Sequence, residues 1–151
     1  MAWQGFIDLI WMIVLLFMLG YFLKYRAQFK WLQTWPWVDG HISEFSWIKR
    51  NHFLWADIQY TYQVDGVSYS NNRLFVEQRF RSPKSAYARR IAYQIAVAYE
   101  KGEAITVFYN PDSPGQSVLD TRVPLKLTVI LLFLSVFLVI HLASVLFRYF
   151  G

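Results

Sequence analysis

Hydrophobic positions along the chain follow three different spacings, and each predicts a different element. From Phe6 to Leu23 and from Leu127 to Phe147 the apolar residues run almost unbroken. The first run contains one charge, Asp8, and the second none that is fixed. At about 1.5 Å per residue, helices of about 18 to 21 residues cover roughly 27 to 32 Å, the thickness of a hydrocarbon core. Both are expected to be transmembrane helices. The leading MAWQG has no basic side chain and no small-residue cleavage site follows it, so the first helix is read as retained and not as a signal peptide.

Between these runs the spacing falls to two. Ile58, Tyr60, Tyr62 and Val64 alternate with Asp57, Gln59, Thr61 and Gln63, as in a half-buried strand. Asp65 and Gly66 then supply a two-residue hairpin turn, since both tolerate positive φ. That turn pairs Val64 with Val67 and Tyr62 with Tyr69, which keeps one face apolar. An earlier strand is expected within Trp37 to Ile48, turning at Lys49-Arg50-Asn51 to complete a three-stranded meander. From about Pro83 to Lys101 the spacing becomes helical, with Ala88, Ile91, Ala92, Ile95, Ala96 and Tyr99 on one stripe. Ser82 is the expected cap, Pro83 suits the first helical position, and Gly102 suits a left-handed stop. Arg89 and Arg90 face away from the stripe, so this helix is expected to lie on a sheet and not to cross the membrane. A strand from Ala104 to Tyr109 follows. Residues 110–115, NPDSPG, read as its exit turn: Asn110 and Asp112 accept backbone N–H groups, two prolines fix φ and Gly115 closes the turn. Ser117 to Leu119 then add a short strand or edge packing.

The resulting fold class is α+β: two transmembrane helices flanking a small antiparallel β-sheet domain with one packed helix. Residues 1–30 form the first helix and its juxtamembrane segment, 31–122 the β-rich domain, and 123–151 the second helix. The phrases WPWVDGHI, YTYQVDGVSY, AYEKG and ITVFYNPDSPGQSVL, set between two apolar helices, resemble the bacterial membrane family catalogued as domain of unknown function 3592. The resemblance covers about Trp35 to Leu119 and both helices, and its most specific piece is YNPDSPGQSVL. It implies this architecture. The family has no established activity, so the resemblance carries no site onto any residue.

Composition sharpens the membrane reading, since 56% of the residues are apolar and 20% aromatic. Trp3, Phe6, Tyr149 and Phe150 gather toward one interface and Tyr21, Tyr25 and Trp31 toward the other, as aromatic belts do. The helices are expected to be antiparallel. They lack an evident small-x-x-x-small seam, which favours packing against a protein partner or copies of the same chain. Lys24, Arg26, Lys30, Arg122 and Lys126 flank the central region, whereas the outer ends hold only Arg148. The positive-inside rule then places the central domain in the cytoplasm and both termini outside a bacterial inner membrane. The absence of Cys excludes disulfides and thiolate metal sites and fits either compartment.

Candidate chemistry is sparse. Ser113 and Ser117 do not form a nucleophile elbow, Asp112 is one carboxylate where a calcium loop clusters several, and His41 with His52 lacks a third zinc ligand. No catalytic residue, metal site or cofactor is predicted. His141 lies within the second apolar run, where ionisable groups are rare and functional by default; a neutral imidazole bonded to Ser144, the backbone or water is the simpler expectation. Asp8 and Arg148 are expected at similar depth, which permits an ion pair, or a contact from Asp8 to His141. All but one of the 15 basic and all but one of the 10 acidic residues lie between Lys24 and Lys126, so this region carries the net charge of +5. Arg79, Arg81, Lys84, Arg89 and Arg90 concentrate there as a candidate contact for anionic lipid or a partner. No nucleic-acid-binding motif accompanies them.

These features favour a small membrane-anchored, non-catalytic interaction or accessory module that works near the bilayer surface. The alternatives are an immunity protein against a membrane-acting toxin and an enzyme acting on lipid or lipid-linked substrates. The last lacks a cluster of nucleophile, base and metal ligands.

Overall fold

The first apolar run becomes helix α1, Ala2–Leu32, and the last becomes helix α3, Leu125–Phe150, in a computed structural model that describes residues 2–50, 52–75 and 85–150. Each is long and apolar enough to cross a membrane. Because no proline or glycine stands between Lys24 and Leu32, α1 continues past its apolar run. It stops where the Thr34 hydroxyl and backbone N–H both turn back to the Trp31 carbonyl, at 2.6 and 3.0 Å. At the start of α3 the Pro124 carbonyl accepts the N–H groups of Leu127 and Thr128. The chain divides into two units, Met1–Lys30 with Val123–Gly151, and Trp31–Arg122.

The second unit holds five strands: β1 (Trp37–Arg50), β2 (Phe53–Val64), β3 (Val67–Asn71), β4 (Ile105–Asn110) and β5 (Ser113–Val118). They form one antiparallel sheet in the order β3-β2-β1-β4-β5. The Asp65-Gly66 turn forms as its residues demand, with φ of 50° and 79°, and Val64 pairs with Val67 and Tyr62 with Tyr69. Gly40 lies where β1 passes between β2 and β4. A Cβ there would sit 2.7 Å from Val107 Cγ2 and 2.8 Å from the Thr61 carbonyl oxygen.

The sheet exceeds the expected meander in two ways. β1 runs to Arg50 and contains a bulge, with Ser43 and Glu44 set against Gln59 alone between the pairs Ile42–Tyr60 and Phe45–Ile58. The Ser43 hydroxyl closes it by donating to the Gln59 carbonyl at 3.0 Å. The extra residue switches which side chains face the core. Val38 and Ile42 point inward before it, Phe45 after it. The second difference is a complete β5. The expected six-residue turn shrinks to Pro111 and Asp112, held by Asn110 Oδ1 accepting the Asp112 N–H at 3.0 Å. Pro114 is tolerated in β5 because this is an edge strand.

The two edges approach one another without a ladder between them. Asn71 Nδ2 at the end of β3 reaches Ser117 Oγ at 3.1 Å, the Tyr62 hydroxyl donates to the Pro114 carbonyl, and the Leu74 carbonyl accepts the N–H groups of Leu119 and Asp120. The core lies inside this curl: Ile58, Tyr60, Tyr62, Val64, Leu74, Phe75, Ala88, Ile95 and Val107. Helix α2, Ala86–Lys101, lies against it through Ala88, Ala92 and Ile95. Its cap is Ser85, whose side chain accepts the Ala88 N–H, so the expectation of Ser82 is corrected; Ser82 and Pro83 lie outside the described residues. Gly102 ends the helix at φ 65°, and the Glu103 N–H returns to the Ala98 carbonyl, as a left-handed stop requires.

Candidate functional site

The strands of the β1–β2 hairpin outrun their neighbours. β4 pairs with β1 only from Trp37 to Gly40, and β3 with β2 only from Tyr60 to Val64. Among the described residues, the hairpin beyond Ile42 is therefore a two-stranded ribbon. After the bulge, alternation places Phe45, Trp47 and Lys49 on the face shared with their partners Ile58, Ala56 and Leu54. At the ribbon's base α2 covers that face: the Phe45 ring stacks on Tyr99 at 6.0 Å and meets Trp47 edge-on at 5.1 Å.

Farther out the cover is incomplete. Ala88 and Ala92 stand one turn apart on α2, and their short side chains leave an open groove of about 600 Å³ against the ribbon. Trp47, Leu54, Trp55 and Tyr93 complete its apolar walls. Trp47 is 48% exposed, Leu54 65% and Tyr93 67%, which is unusual for large apolar side chains set side by side. Arg89 and His52 supply the polar rim. His52 sits in the β1–β2 turn with φ 66°, a left-handed conformation that costs a non-glycine residue energy. No carboxylate lines the groove among the described residues. Such a site can desolvate an apolar group and orient an anion, and it offers no nucleophile paired with a base.

A second hollow of similar size is polar, with Glu44, Asp57, Gln59, Ser70 and Asn72 around it. No group of three metal-ligating side chains occurs among the described residues. His41 pairs with Thr61 in mid-strand while His52 lies in the turn. About ten residues of strand, roughly 30 Å, separate them, so the two imidazoles do not come together.

In the helical unit the structure joins the three polar residues singled out in the apolar runs. Arg148 Nη1 donates to Asp8 Oδ2 at 2.8 Å, and His141 Nε2 lies 3.1 Å from the Asp8 carbonyl oxygen. Ser144 instead donates to the Ile140 carbonyl. Asp8, near the start of α1, thus meets the last turns of α3, and the two helices run antiparallel there. Of the basic cluster, Arg89 and Arg90 are exposed on α2, and only Arg89 lines the groove. Arg79, Arg81 and Lys84 lie outside the described residues.

The remaining polar concentration is structural. Tyr60 is fully buried; its hydroxyl donates to the Arg73 carbonyl at 2.9 Å and lies 3.0 Å from Ser117 Oγ. Burial pushes its pKa well up, against the opposing Ser117 hydrogen bond, and burial also raises that of Tyr62. Asp120 is held by the Tyr87 hydroxyl at 2.9 Å and by the Arg122 N–H at 3.3 Å.

Sequence reasoning missed the groove. The available signal was SWIKRNHFLW, residues 46–55, which keeps large apolar side chains on both strand faces up to the turn. A half-buried strand needs them on one face only.

Comparison with protein families matches residues 38–124 to the model described as Domain of unknown function (DUF3592). Neither the curated proteins nor the solved structures provide a match.

Proposed function

The chain belongs to the DUF3592 family, and from that premise we propose that it is a two-pass protein of a bacterial inner membrane whose central unit is a non-catalytic docking module. One observation carries the reading: the groove beside the β1–β2 ribbon keeps Trp47, Leu54 and Tyr93 exposed together. Large apolar side chains left in water cost free energy that burial against a partner recovers, at about 25 cal/mol per Å². The bilayer is one partner, through α1 and α3, and a protein or another copy of the chain is a second. The five cations that flank the central unit, Lys24, Arg26, Lys30, Arg122 and Lys126, support a cytoplasmic placement with the termini outside.

Two measurements test this. An alkaline phosphatase fused to the C-terminus is expected to be active, and activity only from a cytoplasm-dependent reporter would reverse the topology. A photo-reactive residue in place of Leu54 is expected to form adducts in intact membranes, while the same residue in place of Thr61, on the polar sheet face, forms none. Equal labelling at both positions, or none at Leu54, would remove the docking reading.

A further inference from the structure

Between Leu9 and Leu23, and between Leu127 and Ile140, α1 and α3 are uncharged and largely apolar on every side, so hydrophobicity alone cannot choose which stripe of one faces the other. One stripe is nevertheless chosen. From Gly5 to Phe22 the half-buried positions of α1 recur at alternating intervals of three and four residues, and from Leu131 to Val145 the buried and half-buried positions of α3 do the same, while the residues between them are exposed. This is the seam spacing of a helix pair. Asp8 meets both His141 and Arg148, which stand four residues before Val145 and three after it, so Asp8 is level with Val145. Counting in opposite directions from there sets Leu15 opposite Leu138, Leu19 opposite Leu134 and Phe22 opposite Leu131.

The apolar part of this seam is a poor guide to register. Lipid tails are as apolar as the side chains, so burying leucine against leucine gains little, and each of these positions in α1 stays partly exposed. A slide of one heptad, about 10 Å, would again set leucine against leucine, Leu15 on Leu131 and Leu19 on Leu127. It would also set Asp8 against Leu138. The polar contacts have no such substitute: Arg148 Nη1 donates to Asp8 Oδ2 at 2.8 Å, with the Asp8 side chain only 16% exposed. The Asp8 carbonyl oxygen lies 3.1 Å from His141 Nε2, which can bond a carbonyl only as a donor. At the same end a Cβ on Gly5 would stand 3.1 Å from Tyr149 Oη, so the α1 backbone passes close to that hydroxyl.

We infer that Asp8, His141 and Arg148 form a polar clasp that fixes the face and the level at which α1 and α3 meet. The clasp concerns the helical unit alone and stands without the docking reading. A polar residue in an otherwise uniform apolar seam sets the register of coiled coils in the same way, because every other alignment leaves it without its partner.

The chain has no cysteine of its own, so cysteine pairs introduced into the full chain report the register through disulfide formation in membranes. Leu15→Cys with Leu138→Cys is the level pair. Leu15→Cys with Leu131→Cys is one heptad off, and Leu16→Cys with Leu138→Cys is off the seam. The level pair is expected to close within single chains roughly three- to thirtyfold more than either offset pair, the range that interhelical polar contacts supply in membranes. Replacing Asp8, His141 and Arg148 together by leucine strands no charge, so the chain still inserts, and the preference for the level pair should disappear. Asp8→Arg with Arg148→Asp exchanges the two charges and leaves the backbone carbonyl for His141, so it should keep the preference. No preference in the otherwise wild-type chain, or an unchanged one in the triple leucine variant, would overturn the inference and assign the register to the apolar seam or to the connections with the central unit. Loss of the preference in the charge-exchanged chain would overturn it as well, since the ion pair would then not be what sets the alignment.

Discussion

Strand β2 has two ends built, with their neighbours, from the same kinds of side chain and finished in opposite ways. At the closed end Tyr60 and Tyr62 are buried, their hydroxyls bonded to Ser117, the Arg73 carbonyl and the Pro114 carbonyl, and the turn beyond Val64 fills its two left-handed positions with Asp65 and Gly66, residue types suited to them. At the open end Trp47, Leu54 and Tyr93 stay exposed, and the turn places His52 in the left-handed region. A fold optimised only for stability would treat both ends alike. The difference teaches that aromatic content says little about where the core is: the closed end is core because β5 and α2 bring partners to it, and the open end is surface because α2 meets it with the short side chains of Ala88 and Ala92 and leaves Arg89 and Tyr93 exposed beside them.

If the comparison holds, equal truncations at the two ends have unequal costs. Tyr60→Ala should destabilise the central unit by about 3 to 5 kcal/mol, read by urea titration of the detergent-solubilised chain under near-ultraviolet circular dichroism. A cost below 1 kcal/mol would mean the closed end is not the core. Gly66→Val follows, at about 1 to 3 kcal/mol, because a Cβ-branched residue strains at φ 79°; unchanged stability would remove the turn's role.

Alkaline pH should strike the closed end selectively. Tyr60 holds its proton more firmly in the folded than in the unfolded chain, so its contribution is complete below the ordinary value of 10.0 and declines as pH rises beyond it. The same titration at pH 8 and pH 11 should show a loss, smaller in Tyr60→Phe, whose side chain has no proton to lose. An equal loss in both chains would place the alkaline sensitivity elsewhere. At the opposite turn His52→Gly should stabilise by up to about 1 kcal/mol, as relief of the left-handed strain outweighs the entropy of glycine. The smallest effect belongs to Trp47→Ala, within about 0.5 kcal/mol. A cost of several kcal/mol there would show that Trp47 is core.

Elements specified by neighbours in sequence were legible before any fold was known. The two apolar runs, the Asp65-Gly66 hairpin with its register, and the Gly102 stop of α2 depend on residues within a few positions of one another. The start of α2 was displaced because Ser82 and Ser85 are both competent caps and only the folded context selects between them. The candidate groove was hidden because its two walls, near residue 50 and near residue 90, share no local period. Asp8 and Arg148 could be paired in advance only because two antiparallel helices of similar length leave few choices of depth.

By itself, then, the sequence determined the kinds of element and the turn chemistry, since spacing and backbone preference act over a few bonds. Tertiary structure alone decided the bulge at Ser43 and Glu44 that turns Phe45 inward, the link from Asn71 to Ser117 across 46 residues, and the uncovered stretch of ribbon beside Ala88 and Ala92. Each depends on which distant segment comes to lie opposite, and that is settled by the packing of the whole unit around Tyr60 and not by any local pattern.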